Sequence, residues 1–481
     1  MIRSIETLKK SPMKTDSLKK AFGLLALFTS VPLCLIADRN DVGEPRVLQG
    51  PMVGAVEPET IRIWARVTGE HEVAVEYGTD PFLINSRQSR SMVAKVEDDF
   101  TVVIELKDLA PGTDYYYRVL VEGEGPKYLK NKRPFRVRTA PVEATRFTVG
   151  FGSCVRYGED RVQPIWKEVQ VANPDLFFWL GDNIYGDTLR AEVLAEEYRR
   201  QRDVALLQPV IRSIPQLATW DDHDFALNDH DRENPLKNES LRIFKQYWAN
   251  SSYGLANVPG VFFEYEYGGV DFFFLDDRMY RDPYTKSDNA GKTMLGKGQL
   301  RWLKQALVRS DSPFKVIVSG SGWTSSKGEE GDSWAAALTE RNALFEFIRE
   351  RSIDGVVLLS GDTHRGEFNA IPWSEKGGYD FFELVSSPLA QEPSEVDRPM
   401  VWEPQMREPY SYSPNFGLLT FDMTAQDPWL RFELINVWGD SVWDATELKA
   451  SELRNGVSSW KSKSSRRTRE RYEREYERLQ K

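Results

Sequence analysis

Leu176-Phe177-Phe178-Trp179-Leu180-Gly181-Asp182-Asn183-Ile184-Tyr185 is an apolar run that stops at a glycine and then turns polar. Such a run suits a strand buried on both faces, and its abrupt polar end suits a loop at the edge of a sheet. The same pattern recurs on either side. Upstream, Phe147-Thr148-Val149-Gly150-Phe151 runs into Gly152-Ser153-Cys154. Downstream, residues 216–220 end at Asp221-Asp222-His223-Asp224, residues 272–275 at Asp276-Asp277-Arg278, and residues 355–359 at Ser360-Gly361-Asp362-Thr363-His364. Helix-period segments such as 343–351 separate them. This alternation predicts a layered α/β domain over residues 146–440, with any ligand gathered outside the strand ends. One aspartate after a strand is explained as a helix N-cap, but the whole series is not.

Working outward, residues 46–141 alternate polar and apolar in short β-rich runs, such as Ile61-Arg62-Ile63-Trp64-Ala65-Arg66-Val67. Turn signals such as Pro111-Gly112 separate the runs, which predicts a β-sandwich. Residues 109–117 and 135–139 resemble the late strands of a fibronectin type III module, with a linker near 141–145. His71 is expected at the surface. Residues 1–37 carry a lysine-rich start, an apolar run over 21–36 and a small residue at Ala37. That is the pattern of a secretory signal peptide, with Met1 or Met13 as the start. The run is too short for a permanent membrane anchor, so the chain is expected to be exported, periplasmic or extracellular. At the other end, residues 459–481 interleave arginine and glutamate, as in a solvated helix or a disordered tail.

Composition narrows the chemistry. The chain has 481 residues, 41% hydrophobic and 28% charged, which describes a globular protein of at least two domains. A net charge of −10 argues against a nucleic-acid partner. Four His and two Cys exclude zinc ribbons and disulfide scaffolds, so a bound metal must be held mostly by oxygen. Cleavage of the export segment removes Cys34 and leaves Cys154 alone.

Taken together, the strand-end residues make a plausible donor set for two metals. A dinuclear hydrolytic centre needs a bridging carboxylate, terminal ligands and an open position. Asp182 suits the bridge, and Tyr185 can turn back as a phenolate toward the same metal. A thiolate from Cys154 beside a phenolate favours Fe3+, whereas Asp182, Asp222 and Asp362 suit Ca2+, with Mg2+ or Mn2+ as alternatives.

Gly152-Ser153-Cys154, Leu180-Gly181-Asp182-Asn183-Ile184-Tyr185, Trp220-Asp221-Asp222-His223-Asp224 and Ser360-Gly361-Asp362-Thr363-His364 together resemble the alkaline phosphatase D family. That family is a branch of the calcineurin-like metallophosphoesterases, related to purple acid phosphatases. The resemblance covers roughly residues 46–438. It implies a fibronectin type III-like β-sandwich followed by a four-layer αββα metallophosphoesterase domain, in an exported hydrolase of phosphate mono- or diesters. It assigns Cys154, Asp182, Tyr185 and His364 to iron, and Asp182, Asp222 and Asp362 to calcium. Asp222 and Asp362 replace the Asn and His of the wider superfamily, which hardens the site. A metal-bound hydroxide is then expected to attack phosphorus in line.

On this reading His223 positions substrate or protonates the leaving oxygen, and Asp224 orients it. Arg278 and Arg156 are expected to hold a phosphate oxygen. Asn228, Asp229 and His230 are weaker ligand candidates. Gly291-Lys292-Thr293-Met294-Leu295-Gly296-Lys297 imitates a P-loop, but Gly298 takes the Ser/Thr position and no apolar strand precedes it. Competing readings are a phospholipase-like or wall-polymer diesterase on the same site, and a surface-binding protein with an inert hydrolase domain.

Overall fold

Strand Leu176–Leu180 is buried at every position, as its composition requires. It pairs in parallel with Arg146–Gly152 on one side and Gln216–Thr219 on the other. The two-residue period of a strand sends alternate side chains to opposite faces. Phe177 and Trp179 meet Trp166 of helix Ile165–Ala172, with ring centroids 5.5 and 5.0 Å away. Phe178 points the other way, onto Phe272 and Phe274 of a second sheet at 5.0 and 4.9 Å.

That contact defines the layers in the computed structural model, which describes residues 44–125, 133–324, 331–395 and 403–479. The first six-stranded sheet runs in the order Gln216–Thr219, Leu176–Leu180, Arg146–Gly152, Asn415–Asp422, Trp429–Asn436, Thr446–Lys449. The second runs Phe263–Tyr267, Val270–Phe274, Lys315–Val318, Val356–Ser360, Phe381–Val385, Glu367–Ile371. Outside the second sheet lie helices Gly296–Arg309 and Leu338–Glu350. Trp302 of the first sits 4.8 Å from Phe262, and Phe345 of the other stacks 4.2 Å from Phe381. The second half of the protein is therefore a mixed α/β domain, with its parallel strands ending on one side.

The first half is β-rich, in two antiparallel sheets. One holds Val47–Val56, Ile61–Val67 and Thr101–Leu106. The other is built on Glu72–Gly78, Asp114–Val121 and Phe135–Arg138. Val53, Ile63 and Ile104 of the first sheet share a core with Val75, Tyr117 and Val119 of the second. The Tyr115 hydroxyl accepts the Ala110 N–H at 2.9 Å and pins the turn that enters its strand.

Strand Val47–Val56 departs from simple alternation: only Leu48 is exposed. Its outer face is covered by the α/β domain. Met52 and Trp64 join a core with Trp179 and Trp248, Trp64 Nε1 donates to Gln246 O at 2.7 Å, and Ala55 N donates to Ala249 O at 2.8 Å. A Cβ at Gly54 would lie 2.3 Å from the Ala249 carbonyl oxygen, so only glycine allows this approach. The two halves are welded along a strand and not merely joined near 141–145.

His71 corrects its surface assignment. It is 5% exposed, with Nδ1 3.3 Å from Glu122 Oε1. The P-loop imitation is a structural loop, in which Lys292 Nζ donates to the carbonyls of Tyr284 and Lys286 at 2.8 and 2.6 Å. The charged tail forms helix Arg466–Leu479, docked by Tyr472 against Trp460 and by Arg471 to Gln405. The expected export segment, residues 1–37, lies outside the described residues. Among the described residues no helix is long and apolar enough to cross a membrane.

Candidate metal centre

The strand ends deliver their polar residues through tight turns. Gly181 has φ +87°, and a Cβ there would come 2.6 Å from Asp221 Cβ. The donors that follow are themselves in the left-handed region: Cys154 at φ +61°, Asp182 at +50°, Asp362 at +68° and His364 at +52°. Non-glycine residues seldom occupy it, and a cluster of them marks strain that the surrounding packing must hold.

Three donor clusters meet here, each with its ligand atoms within 4.8 Å of one another. Cys154, Asp182 and His364 form the first, Asp182, Asp222 and His223 the second, and Asp222, Asp229 and Asp332 the third. Asp182 belongs to two of them, as a bridge must. Its Oδ2 lies 3.4 Å from Cys154 Sγ and 3.4 Å from the Tyr185 hydroxyl, and that hydroxyl is 3.1 Å from His364 Nε2. Its Oδ1 is buried with no hydrogen-bond partner. A buried carboxylate oxygen left unpaired is costly, and a cation is the natural partner for it. Thiol, phenol, imidazole and carboxylates gather around Asp182, so the donor set fits a metal-binding site.

The electrostatics agree. Burial pushes the Cys154 thiol up to about 11, and the Asp362 carboxylate adds to the rise. Burial, then the neighbouring Cys154, Asp222 and Asp221, holds Asp182 well above the usual carboxylate range. Burial opposes the His223 cation, but Asp182, the Asp187 hydrogen bond and Asp222 outweigh it and push His223 up to about 10. This excess of anions is what a bound cation would relieve.

Every expected metal ligand is therefore brought to this rim, with Asp362 beside the clusters and not within one; its N–H donates to Ser153 Oγ at 3.2 Å. Arg156 lies alongside, its guanidinium 5.1 Å from the Tyr185 ring centre and 3.0 Å from Glu159. His223 stacks on the same ring, with centroids 4.1 Å apart.

Two expectations change. The residue paired with His223 is Asp187, whose Oδ1 is 2.5 Å from Nδ1, and not Asp224. Asp224 is buried beneath, accepting from Tyr198 Oη at 2.8 Å and from the N–H groups of Asn183 and Asp221 at 3.1 and 3.2 Å. Arg278 is fully buried and holds carboxylates instead of facing a phosphate. It pairs with Asp221, reaches Asp332 Oδ2 at 2.6 Å and sits 3.6 Å from Asp222 Oδ1. Arg281 meets Asp332 from the other side at 2.5 Å. Burial opposes the charge on Asp332, but Arg278 and Arg281 hold it below the usual carboxylate range. Asp187 and Asp332 were missed in the sequence. Asp187 shares Tyr185's loop but carries no spacing signal, and Asp332 sits in a polar loop with none.

This arrangement also has relatives. The chain is 27% identical over 348 residues to alkaline phosphatase D of Bacillus subtilis, an alignment covering 62% of this chain and 58% of that protein's length. The solved structure of PhoD superposes with a TM-score of 0.69 at 18% identity, covering 91% of this chain and 98% of the other. Purple acid phosphatase PPD1 from yellow lupin seeds shares the fold at a TM-score of 0.58 and 14% identity, covering 84% of this chain and 74% of its own. A model of the PhoD-like phosphatase N-terminal domain matches residues 34–141, the β-rich half. The PhoD-like phosphatase model itself matches residues 147–427, more than half of the chain and all of its strand-end donors, and the chain belongs to that family.

Proposed function

We propose that the protein is an exported, metal-dependent hydrolase of phosphate mono- or diesters. The observation that carries this reading is Asp182, shared between two donor clusters with one buried oxygen left unpaired. Cys154, Asp182, Tyr185 and His364 would hold Fe3+, a cation that suits thiolate and phenolate donors. Asp182, Asp222 and Asp362 would hold Ca2+, or Mg2+ or Mn2+ in its place. When bound, the ions supply Lewis acidity toward a phosphoryl oxygen and a nucleophilic oxygen at neutral pH.

The chain's own residues do the rest. His223, braced by Asp187, offers a proton donor beside the Tyr185 ring, in position to serve a leaving oxygen. Arg156, which also lies over that ring and is more exposed than His223, is the remaining arginine suited to a phosphate oxygen. A fibronectin type III-like β-sandwich over 46–141, a four-layer αββα domain over 146–440, a signal peptide over 1–37 and a periplasmic or extracellular location complete the proposal.

Two measurements test it. Hydrolysis of a chromogenic phosphodiester and its monoester should vanish on chelation and return with Ca2+. Full activity in saturating chelator would remove the metal from the reaction. His223→Ala should lower kcat by about 10²–10⁴-fold, and Asp187→Asn by a smaller factor in the same direction. An Asp187→Asn protein with wild-type kcat would show that the pair plays no part in proton transfer.

A further inference from the structure

Asp99 belongs to the β-rich half, at a left-handed position (φ +52°) just after the turn Val96–Asp98. Its carboxylate is turned toward the α/β domain. Oδ2 accepts from Arg199 Nη1 at 2.7 Å and from the Tyr247 hydroxyl, while Arg66 Nη2 holds Oδ1 at 3.1 Å. Arg199 lies on helix Ala191–Arg202, and Tyr247 closes helix Lys237–Tyr247. The Tyr247 ring stacks on Tyr198 with centroids 5.0 Å apart and planes 12° apart. Beneath the pair, Arg202 donates to Tyr247 O at 3.0 Å, with its guanidinium 4.2 Å from the Trp248 ring centre and 5.8 Å from that of Trp64.

Tyr198 then donates its hydroxyl to Asp224 Oδ1 at 2.8 Å. The other oxygen of Asp224 accepts from the N–H of Asn183 at 3.1 Å and of Asp221 at 3.2 Å. Asn183 directly follows Asp182, and Asp221 directly precedes Asp222. One buried carboxylate thus ties together the two loops that carry the shared ligand and its neighbour. Those loops hold a strained backbone at Asp182, so their geometry has to be imposed from outside. Residues that orient metal ligands without touching the metal change affinity by about 10–100-fold when altered.

We propose that the β-rich half braces the metal centre through the line Asp99, Tyr247, Tyr198, Asp224. Asp224 and Tyr198 are positioning residues, and Asp99 sets them from the other half of the protein. The inference rests on the metal-centre reading above.

Titration of the full chain with Mn2+ and with Ca2+, read by calorimetry, tests it without reference to ester turnover. Tyr198→Phe keeps the stacked ring and removes only the hydroxyl; it should weaken metal binding by about tenfold. Asp99→Asn should weaken it by about two- to tenfold from across the interface, no more than Tyr198→Phe does. The double variant should be no weaker than Tyr198→Phe alone, because both changes act on one line. Arg199→Gln loosens Asp99 from the helix side and serves in the same cycle where Asp99→Asn does not fold.

Wild-type affinity in Tyr198→Phe would overturn the proposal. So would an Asp99→Asn effect confined to the thermal midpoint, or one that adds in full to that of Tyr198→Phe. A wild-type chain that binds neither ion would remove the metal-centre reading and the inference together, whereas a chain that binds metal but hydrolyses no ester leaves this test intact.

Discussion

Asp182→Asn should abolish ester hydrolysis, with a loss of at least about a thousandfold in kcat, while the metal-free protein should unfold no more easily than wild type. The two effects have one cause. Asp182 brings a charge into a pocket already crowded by Cys154, Asp221 and Asp222, and its Oδ1 finds no partner there. An amide of the same shape gives up that charge, and with it the donor common to the Cys154–His364 and Asp222–His223 clusters. Relief of an unpaired buried anion is worth about 1–3 kcal/mol, so the metal-free variant should equal or exceed wild-type stability in urea. In wild type, added metal should raise the unfolding midpoint; in the variant it should raise it much less. A variant that still turns over ester at a tenth of the wild-type rate would mean that Asp182 is not the bridge.

Arg278→Met should produce the largest stability change, a loss of about 3–5 kcal/mol. The guanidinium is sealed from solvent between Asp221, Asp332 and Asp222, and its removal strands above all the buried carboxylate of Asp221. Arg281 still meets Asp332, so the residual burden falls mainly on Asp221. Urea denaturation should show a lower midpoint with an unchanged slope. Arg278→Lys keeps the charge but loses the fork that spans Asp221 and Asp332, and should fall between the two. A substrate-holding arginine would behave in the opposite way, with a higher KM and no change in the unfolding midpoint. Arg278 and Asp332 are thus expected to act on metal binding and fold stability alike, because the same guanidinium neutralises Asp221 and lies beside Asp222.

The second half of the fold was legible because its central strands are short, largely apolar and end abruptly. Leu176–Leu180 could be little else, and its neighbours repeat the pattern. The nearness of these residues was legible for the same reason: each polar terminus follows directly on an apolar run, which sets Cys154, Asp182, Asp222, Asp362 and His364 along one rim. Period-two alternation likewise marked the β-rich half. It could not foretell that strand Val47–Val56 is covered on both faces, since that burial comes from Trp179 and Trp248, more than a hundred residues away.

Roles within the site divide along the same line. His223 and Arg278 each sit in a motif, and both looked like groups facing the substrate. The fold gives His223 the carboxylate of Asp187 and closes Arg278 between Asp221 and Asp332. Sequence by itself determined which residue types stand at which strand ends, since periodicity and apolar run length are local properties of the chain. Only the tertiary structure decided which charges meet. A carboxylate at Asp332 and a guanidinium at Arg278 are 54 positions apart, and pairing across that distance depends on how the layers stack. Burial sets its consequence, for the same ion pair in water would be worth little.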